Sequence, residues 1–244
     1  MESTEQYMHD LKQWLSDTED LPLEEMGEFF TKRLADYEQH MAIWEKSYQR
    51  FAELLPDECQ NILDLGCGTG LELDQIWQKN PDMAVTGVDL CLDMLERLRQ
   101  KHPDKKLITV CRDYFAYDFG SEKWDAVISF ESLHHFLPEA KKELYKKIFC
   151  GLKEGGVFLL GDYIACCEEE EELLRSTYMQ KRKKSAIPEQ DFVHFDIPLT
   201  LEHELALLRS AGFHAEKIWD APKEADIIIA KKENEFMGKS GNDM

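Results

Sequence analysis

A run of apolar residues that stops at three glycines is the feature that most constrains this 244-residue chain. The stretch NILDLGCGTG covers residues 61–70 and places Gly66, Gly68 and Gly70 on alternate positions directly after Leu65. Glycine adopts positive φ without a steric penalty and lets a ligand approach the backbone closely. A helix that begins just behind such a loop attracts negative charge to its N-terminus. The stretch therefore predicts a buried strand, a tight turn and a site for a phosphate or a carboxylate.

Segments with a β pattern and segments with a helical pattern alternate after Pro56. The predicted strands cover residues 61–65, 84–88, 106–111, 124–130, 156–162, 214–219 and 225–231. The predicted helices cover residues 71–78, 92–101, 139–152 and 201–211. Regular alternation of this kind is typical of a parallel sheet with helices on both faces. The link around residues 220–222 is too short for a parallel crossover, so the last strand is predicted to be antiparallel.

Three further segments complete the predicted organisation. Residues 1–55 carry apolar residues at helical spacing and are expected to form an N-terminal helical cap. Residues 56–232 are expected to form one α/β domain. A charged and aromatic insertion at about 163–198 is predicted to cover the carboxyl edge of the sheet as a lid, because ligands in open α/β sheets bind at that edge. Residues 233–244 are expected to form a flexible tail.

The charge of the chain argues against nucleic acid as a partner. Twenty-nine Lys and Arg residues stand against 49 Asp and Glu residues, which gives a net charge of −20. Affinity for nucleic acid comes largely from neutralising phosphates, and a surface this acidic repels them. The basic run 181–184 follows the acidic run 168–172, and we expect the two to compensate each other on a solvated helix.

Cysteines and apolar runs indicate a cytoplasmic protein. The seven cysteines form no C-x-x-C pair, which favours reduced thiols over a disulfide framework or a zinc site. No apolar run approaches the roughly 20 residues that a membrane span needs. The acidic start MESTEQYMHD is not typical of a signal or transit peptide. We therefore expect a cytoplasmic monomer or homodimer without membrane association.

Two familiar glycine loops do not fit the residues that follow Gly70. A phosphate-binding P-loop needs Lys and Ser or Thr there, and this chain has Leu71 and Glu72. A dinucleotide fingerprint needs G-x-G-x-x-G, and here the third glycine comes one position early. Glu72 would also meet a pyrophosphate unfavourably. The remaining candidate is a cofactor with an amino-acid head and a nucleoside tail.

The stretch LDLGCGTG resembles the first motif of class I S-adenosylmethionine-dependent methyltransferases. The segments VTGVDL, CRDYFAYDF, WDAVISFESLHHF and LKEGGVFLLGDY resemble later motifs of that family in the expected order. The resemblance covers about residues 30–230. It implies a Rossmann-like three-layer α/β sandwich with a seven-stranded, mostly parallel sheet of order 3-2-1-4-5-7-6 and an antiparallel last strand. It also implies S-adenosyl-L-methionine as the cofactor.

The resemblance also implies a set of cofactor-binding residues. Asp89 would accept hydrogen bonds from both ribose hydroxyls, since a carboxylate offers two acceptor oxygens. Asp113 and Tyr114 would lie at the adenine. Tyr37, in FFTKRLADYEQHM, would close over the methionine end of the cofactor or merely pack the cap onto the sheet. The complete implied set is Tyr37, Asp64, Gly66, Cys67, Gly68, Gly70, Asp89, Leu90, Met94, Asp113, Tyr114 and Phe130.

The end of the predicted fourth strand offers the groups that could remove a proton from an acceptor. These catalytic candidates are Glu131, His134 and His135, and we expect at most one of the two histidines to act as a base. The candidates for binding the acceptor are His40, Trp44, Tyr163, His194 and Asp196. Imidazole and carboxylate also suit transition metals, and a metal held by His134, His135, His194 and Asp196 is the alternative to a substrate pocket. The spacing is not that of a known metal motif, so we expect a polar substrate pocket without a metal.

The predicted reaction is in-line transfer of a methyl group from the cofactor to an oxygen, nitrogen or carbon of a small molecule. The chain lacks an Asn-Pro-Pro-Tyr run and a Pro-Cys dipeptide, which disfavours methylation of adenine, glutamine or cytosine C5. A second hypothesis is an enzyme that uses a modified cofactor of the carboxy-S-adenosylmethionine type. Its extra carboxylate would need an arginine, for which only Arg33 and Arg112 are nearby. A third hypothesis is a non-catalytic S-adenosylmethionine-binding module, and a fourth is an aminopropyl transferase.

Overall fold

The structure is a computed structural model, and it describes residues 3–219 and 225–233. The predicted short link at residues 220–222 and the predicted flexible tail from residue 234 onward lie outside the described residues.

Seven strands and eight α-helices follow one another along the described chain. The strands are β1 Asn61–Leu65, β2 Ala84–Asp89, β3 Leu107–Cys111, β4 Trp124–Phe130, β5 Leu152–Asp162, β6 His214–Trp219 and β7 Asp226–Lys231. The helices are α1 Thr4–Asp17, α2 Met26–Met41, α3 Glu45–Leu54, α4 Leu71–Lys79, α5 Leu92–Lys101, α6 Pro138–Gly151, α7 Glu168–Lys184 and α8 Leu201–Ser210. Two short 3-10 helices cover Ala42–Trp44 and Leu133–His135.

The strands form one sheet of order β3-β2-β1-β4-β5-β7-β6. Strands β1 to β5 pair in parallel, and β7 runs antiparallel between β5 and β6. This arrangement confirms the predicted Rossmann-like fold class and the antiparallel last strand. It also brings the carboxyl ends of β1, β2, β4 and β5 to the same edge, where the side chains after each strand meet.

The boundary between α6 and β5 differs from the prediction. The helix was expected to reach residue 152 and the strand to begin at residue 156, but β5 begins at Leu152. Leu152 has extended backbone angles and pairs with Trp124 of β4, and the register shifts before Ala126. The strand therefore includes the glycine turn, in which Gly155 has a φ of +74°.

Two apolar layers cover the faces of the sheet. One layer contains side chains of α3, α4 and α5, and Phe51 of α3 is fully buried in it beside Ile62 and Phe130. The other layer contains side chains of α6 and α8, with Tyr145 and Leu208 fully buried. Helix α3 thus shares the core of the sheet, although it belongs to the predicted cap. The division of the chain at residue 55 stays a prediction.

Helix α7 and helix α1 pack together beyond the carboxyl edge of the sheet. A third apolar cluster joins Leu15 of α1 to Leu174 and Tyr178 of α7. Tyr7 of α1 and Tyr163 both donate hydrogen bonds to Glu170 of α7. Within the described part of the chain, no helix is long and apolar enough to cross a membrane.

The two charge runs lie at opposite ends of α7, but the expectation of a fully solvated helix was wrong. The acidic run occupies the first turn and the basic run the last turn, which complements the helix dipole. Glu170, Glu171 and Lys181 are nevertheless buried. Lys181 donates to the carbonyl oxygens of Thr18, Glu19 and Leu21 at 2.8–3.0 Å. The charges of α7 therefore attach this helix to the N-terminal segment.

A buried ion pair between α6 and α8 gives a stability prediction. The side chains of Lys141 and Glu204 are 1% and 0% exposed, and they pair with each other and with Tyr145. Lys141→Met leaves a buried carboxylate without its counter-charge and should lower the free energy of unfolding by about 3–5 kcal/mol. Lys146→Met breaks an exposed pair with Glu143 on the same helix and should cost less than about 1 kcal/mol. Denaturant unfolding of both variants checks this, and equal losses would contradict it.

Candidate active site

A cleft opens at the carboxyl edge of the sheet, between the glycine loop and α2. Its empty volume, which includes space open to solvent, is about 570 Å³. The lining residues are Met26, Gly27, Phe30, Tyr37, Gly66, Gly68, Asp89, Leu90, Cys91, Met94, Tyr114, Phe130, Glu131, Ser132, His135 and Phe136.

The glycine loop at one end of the cleft requires bare backbone at two positions. Gly66 has a φ of +75°, and a Cβ atom there would lie 2.2 Å from Ser132 Oγ. Gly68 has a φ of +46°, and a Cβ atom there would lie 3.3 Å from the hydroxyl of Tyr37. Any side chain at Gly68 would therefore extend into the cleft towards Tyr37. This confines the cleft entrance between the loop and α2.

Asp89, at the end of β2, fixes the shape of the loop. Its Oδ2 accepts a hydrogen bond from the Gly68 amide at 2.9 Å, and its Oδ1 accepts one from the Cys91 amide at 2.8 Å. Burial raises the pKa of Asp89, and the hydrogen bonds from backbone amides limit the rise. Each carboxylate oxygen has a further lone pair with which to accept a hydrogen bond from a ligand in the cleft.

Two acidic side chains are buried beside the glycine loop. Asp64 is fully buried in β1, and within the described residues neither of its oxygens has a hydrogen-bond partner of acceptable geometry. Burial and the nearby Glu72 carboxylate raise the pKa of Asp64 well above its usual range. Burial raises the pKa of Glu72 to about 7. A ligand that brings positive charge close to the loop would compensate these groups.

Glu131 lies at the opposite end of the cleft, directly after β4. It has a φ of +49°, which is uncommon outside glycine, and its amide donates to the Gly161 carbonyl at 2.7 Å. Burial raises the pKa of Glu131 to about 8. Strained backbone of this kind is frequent at functional sites. The turn presents the Glu131 carboxyl group to the cleft.

His134 follows in the short 3-10 helix and is surrounded by two carboxylates. Its Nδ1 donates to Asp162 Oδ1 at 2.5 Å, and its Nε2 lies 3.5 Å from Asp196 Oδ1. Burial alone would lower the pKa of His134, but the contacts with Asp162 and Asp196 hold it well above its usual range. Burial would raise the pKa of Asp196, but the two neighbouring histidines hold it well below its usual range. The position between these groups therefore favours a cation.

His135 and His194 extend this cluster in two directions. His135 lines the cleft, its Nδ1 lies 3.2 Å from Asp196 Oδ1, and burial lowers its pKa. His194 stacks on Phe29 of α2 at a ring distance of 3.4 Å, and burial lowers its pKa to about 3. The ring centres of His135 and His194 lie 4.7 Å apart. Both imidazoles are therefore neutral at pH 7.

A second cavity reaches the same cluster from the side of α1 and α7. Its empty volume is about 990 Å³, and most of its wall is apolar. Trp14, Phe29 and Phe195 supply aromatic surface, and Asp196 and His194 supply polar groups. Lys181 also lines this cavity, but its three hydrogen bonds to carbonyl oxygens satisfy it. The cleft and this cavity approach each other at His135, His194 and Asp196.

The structure brings most of the predicted site residues to these two cavities. The predicted residues that line the cleft are Tyr37, Gly66, Gly68, Asp89, Leu90, Met94, Tyr114, Phe130, Glu131 and His135. Tyr163, His194 and Asp196 line the second cavity. His134 lies between them. The binding and catalytic roles given to these residues stay predictions.

Six predicted residues line neither cavity. Asp64, Cys67 and Gly70 lie beneath the cleft surface, and Gly70 begins α4 with a φ of +72°. Asp113 accepts a hydrogen bond from the Phe115 amide at 2.7 Å within its own turn. His40 is exposed on α2, and Trp44 packs against the core.

The sequence analysis missed several residues that the fold brings to the site. Asp162 holds His134, and Ser132 accepts or donates a hydrogen bond with the Tyr114 hydroxyl at 3.1 Å. Met26, Phe30 and Phe136 add apolar wall to the cleft. The position of Asp162 at the end of a buried strand next to β4 was an available signal. No sequence signal marked the apolar residues as part of a site, because ordinary helix packing explains their spacing equally well.

Comparisons with known proteins agree with this geometry. Residues 62–156 match the family described as methyltransferase domain. Trans-aconitate 2-methyltransferase of Rhodopseudomonas palustris is 34% identical over 96 residues, which cover 39% of this chain and 36% of that protein. Carboxy-S-adenosyl-L-methionine synthase of Nautilia profundicola is 24% identical over 162 residues, which cover 62% of this chain and 68% of that protein. The chain thus spans between about a third and two thirds of the length of these relatives.

A solved structure shows the same fold with the cofactor bound. CalS10 of Micromonospora echinaspora, an amino pentose methyltransferase in complex with S-adenosylmethionine, superposes with a TM-score of 0.60 at 17% identity. The superposition covers 80% of this chain and 96% of that chain. Together with the sheet order and the glycine loop, these matches show that the chain has the fold of the class I S-adenosylmethionine-dependent methyltransferases and that residues 62–156 resemble a methyltransferase domain. They support S-adenosylmethionine as the cofactor.

The buried acid Glu72 makes the stability of the ligand-free protein depend on pH. Unfolded Glu72 loses its proton near pH 4.5, whereas the folded protein keeps it up to about pH 7. The folded state binds more protons in this window, so the free energy of unfolding should fall as the pH rises from about 4.5 to about 7. Glu72→Gln removes this pH-dependent loss of stability. The melting temperature of the variant should therefore exceed that of wild type by an amount that grows as the pH increases.

Thermal unfolding at several pH values measures the effect. Glu143→Gln alters an exposed carboxylate on α6 and serves as the control, for which no such widening difference is expected. A Glu72→Gln difference that stays constant between pH 5 and 8 would contradict the assignment of the raised pKa to Glu72.

Proposed function

We propose that this protein transfers the methyl group of S-adenosylmethionine to an oxygen, nitrogen or carbon of a small molecule. One observation carries the proposal: the cleft behind the glycine loop ends at a polar cluster that a second, mostly apolar cavity reaches from the other side. A cofactor in the cleft and an acceptor in the cavity would meet at this cluster. Such positioning can supply much of the rate of a displacement reaction.

The residues around the glycine loop fit the cofactor. Asp89 can accept hydrogen bonds from ribose hydroxyls while it holds the loop. The orphaned oxygens of buried Asp64 and the adjacent Glu72 favour the ammonium group and the sulfonium. Tyr37 closes the entrance over Gly68, and its aromatic ring also suits a sulfonium cation. When bound, the cofactor supplies an activated methyl group.

The second cavity supports a small apolar acceptor with one polar group. Its aromatic and aliphatic walls would hold the body of the acceptor, while Tyr163, His194 and Asp196 would orient the reacting end. Two similar proteins are named for small-molecule acceptors, trans-aconitate and an amino pentose, which supports the small size of the acceptor but not its apolar character. His40 and Trp44 lie outside both cavities, so we give them no part in this proposal.

The acceptor would give its proton to the polar cluster at which the cleft and the second cavity meet. Glu131, His134 and His135 are the groups there that can take or hold a proton, and Asp162 orients His134. Proton removal before or during attack raises the nucleophilicity of an oxygen or nitrogen acceptor. Attack then forms a bond to the methyl carbon and breaks its bond to sulfur, which leaves S-adenosylhomocysteine.

A modified cofactor with an extra carboxylate is the second candidate, since one relative is a carboxy-S-adenosyl-L-methionine synthase. Such a carboxylate needs a cation in the pocket. Among the described residues that line the cleft there is no arginine. Arg33 lines the second cavity, but its guanidinium pairs with Glu24 at 2.9 Å and lies over the Phe29 ring, and Arg112 is exposed. These contacts favour unmodified S-adenosylmethionine. The polar cluster favours an enzyme over a non-catalytic binding module.

The cellular location and the domain organisation complete the proposal. All seven cysteines are free, which suits a reducing compartment, and we propose a cytoplasmic location. We also propose that α1, α2 and the insertion at 163–198 act as cap and lid over the domain that begins at residue 56.

Gly68→Val tests where the cofactor binds. A branched side chain at Gly68 would occupy the cleft beside Tyr37 and strain a left-handed backbone. Calorimetric titration should show that the variant no longer binds S-adenosylmethionine. Gly155→Ala is the matched control, because Gly155 also has positive φ but a Cβ atom there meets nothing within 4 Å. This control should bind like wild type. Normal binding by Gly68→Val would place the cofactor elsewhere.

The acceptor class can be tested without knowing the acceptor. Cell extract is separated into small-molecule, protein and nucleic-acid fractions, and each is incubated with protein and S-adenosylmethionine labelled in the methyl group. Label should appear in the small-molecule fraction with wild type and be strongly reduced with Asp89→Ala. Label in protein or nucleic acid, or in no fraction, would contradict the proposal.

A further inference from the structure

Three metal-binding side chains converge at the junction of the two cavities. His134 and His135 come from the 3-10 helix after β4, and Asp196 comes from the segment after α7. One ligand atom from each lies within 4.8 Å of the other two. Asp196 Oδ1 lies 3.2 Å from His135 Nδ1 and 3.5 Å from His134 Nε2. Imidazole binds a metal in its neutral form. Two imidazoles and one carboxylate form a donor set that suits a transition metal.

These two distances match the edges of a tetrahedral metal site. Zinc bonds to nitrogen and oxygen are about 2.0–2.1 Å long, so tetrahedral ligand atoms lie about 3.3–3.4 Å apart. Hydrogen bonding does not explain the arrangement as well. The three donor atoms lie close together, and the buried Asp196 Oδ1 among them has no hydrogen-bond partner of acceptable geometry within the described residues.

The surroundings of His134 are those of a metal ligand. Asp162 is 1% exposed and accepts a hydrogen bond from His134 Nδ1 at 2.5 Å, which leaves Nε2 directed towards Asp196. Metal-bound histidines almost always donate their other nitrogen to a carboxylate or carbonyl in this way. The second oxygen of Asp162 has no partner among the described residues. His135 Nδ1 also contacts the Phe195 carbonyl oxygen, and this contact would compete with metal binding. At 3.3 Å it is long for a hydrogen bond.

We propose that His134, His135 and Asp196 bind one divalent transition-metal ion, zinc by preference, with a fourth position open to the acceptor. The Asp196 side chain is 44% exposed although Oδ1 is buried, so the group is reachable from the second cavity. Catalytic zinc sites characteristically have three protein ligands and one open position. His194 lies outside the set of converging atoms and remains free to contact the acceptor.

The use of the ion rests on the proposed function. An acceptor hydroxyl or amine that binds the ion loses its proton more readily, because the metal stabilises the conjugate base. In the metal-loaded protein both histidines would be ligands, so the acceptor's proton would leave to solvent or to Glu131 in its ionised form. The acceptor oxygen or nitrogen would then form a bond to the methyl carbon as the bond between carbon and sulfur breaks. The ion is not consumed and undergoes no redox change.

Cobalt titration of chelator-treated, full-length protein tests the site directly. One equivalent of Co²⁺ should produce the intense visible absorption of tetrahedral cobalt, and Zn²⁺ should abolish it by displacement. His135→Gln and Asp196→Asn should each weaken binding at least 100-fold. Asp162→Asn should weaken it about 10–100-fold, the usual cost of losing a partner of a metal-bound histidine. Circular dichroism verifies that each variant is folded.

Two controls separate this site from other metal-binding groups. His102→Ala removes a histidine from a comparable pair with Asp74 at 2.6 Å and should leave cobalt binding unchanged. His194→Ala, next to the cluster, should also leave it unchanged. Cys166→Ser/Cys167→Ser excludes the adjacent thiols, whose sulfur atoms lie 3.8 Å apart and would give thiolate charge-transfer bands.

Either of two outcomes would overturn the proposal: no stoichiometric cobalt or zinc binding, or binding that His135→Gln leaves intact. His134 would then carry only a proton between Asp162 and Asp196. Calorimetry with S-adenosylmethionine on the same preparations keeps the two hypotheses apart. Loss of metal binding with normal cofactor binding contradicts the metal site alone. Normal metal binding without cofactor binding contradicts the proposed function alone.

Discussion

Burial of carboxyl groups at one edge of the sheet is the constraint on which the rest of the structure depends. Asp89 and Asp162 end β2 and β5, Asp64 is the last residue but one of β1, and Glu131 follows β4. Asp64, Asp162 and the adjacent Glu72 are buried, and Asp89 and Glu131 are partly buried. Burying a carboxylate costs free energy unless hydrogen bonds or an opposite charge compensate it. Here backbone amides compensate Asp89 and His134 compensates Asp162, but Asp64 lacks such a partner among the described residues. The edge therefore favours ligands that carry positive charge.

This charge distribution accounts for both parts of the site. In the proposed complex, S-adenosylmethionine would bring an ammonium and a sulfonium to the end near Asp64, and its ribose would lie at Asp89. The other end surrounds His134 with Asp162 and Asp196, which stabilises a proton or a metal ion there. The lid completes this second end, because Asp196 lies on the segment that returns from α7. The hydrogen bond from the Ile197 amide to the His134 carbonyl, at 2.8 Å, fixes that segment against the 3-10 helix.

Sequence patterns predicted the sheet and the glycine loop well, because both depend on local signals. Alternating strands and helices, and a glycine at each position of the loop with positive φ, are visible in short windows. The order of the strands followed from the family resemblance. The end of α6 was wrong by one residue and the start of β5 by four, since the glycine turn lies inside the strand instead of before it. The burial of Glu170, Glu171 and Lys181 was missed because composition alone cannot show that α1 covers α7.

The polar cluster shows the limit of sequence reasoning more clearly. Each of its members was visible as a candidate except Asp162, yet spacing along the chain gave no sign that His134, His135 and Asp196 meet. About 60 residues, which include two helices and a strand, separate the two segments. Only the fold, which ends β4 and β5 side by side and returns the lid across them, brings these side chains within a few ångströms.

A crystal structure of the complex with S-adenosylhomocysteine would test the central claim most directly. The account predicts that both ribose hydroxyls lie within hydrogen-bonding distance of Asp89, with the amino end at the glycine loop under Tyr37. It further predicts that the sulfur atom faces His135 and Glu131 across the cleft. A ribose bound away from Asp89, or a sulfur atom directed away from the cluster, would contradict it.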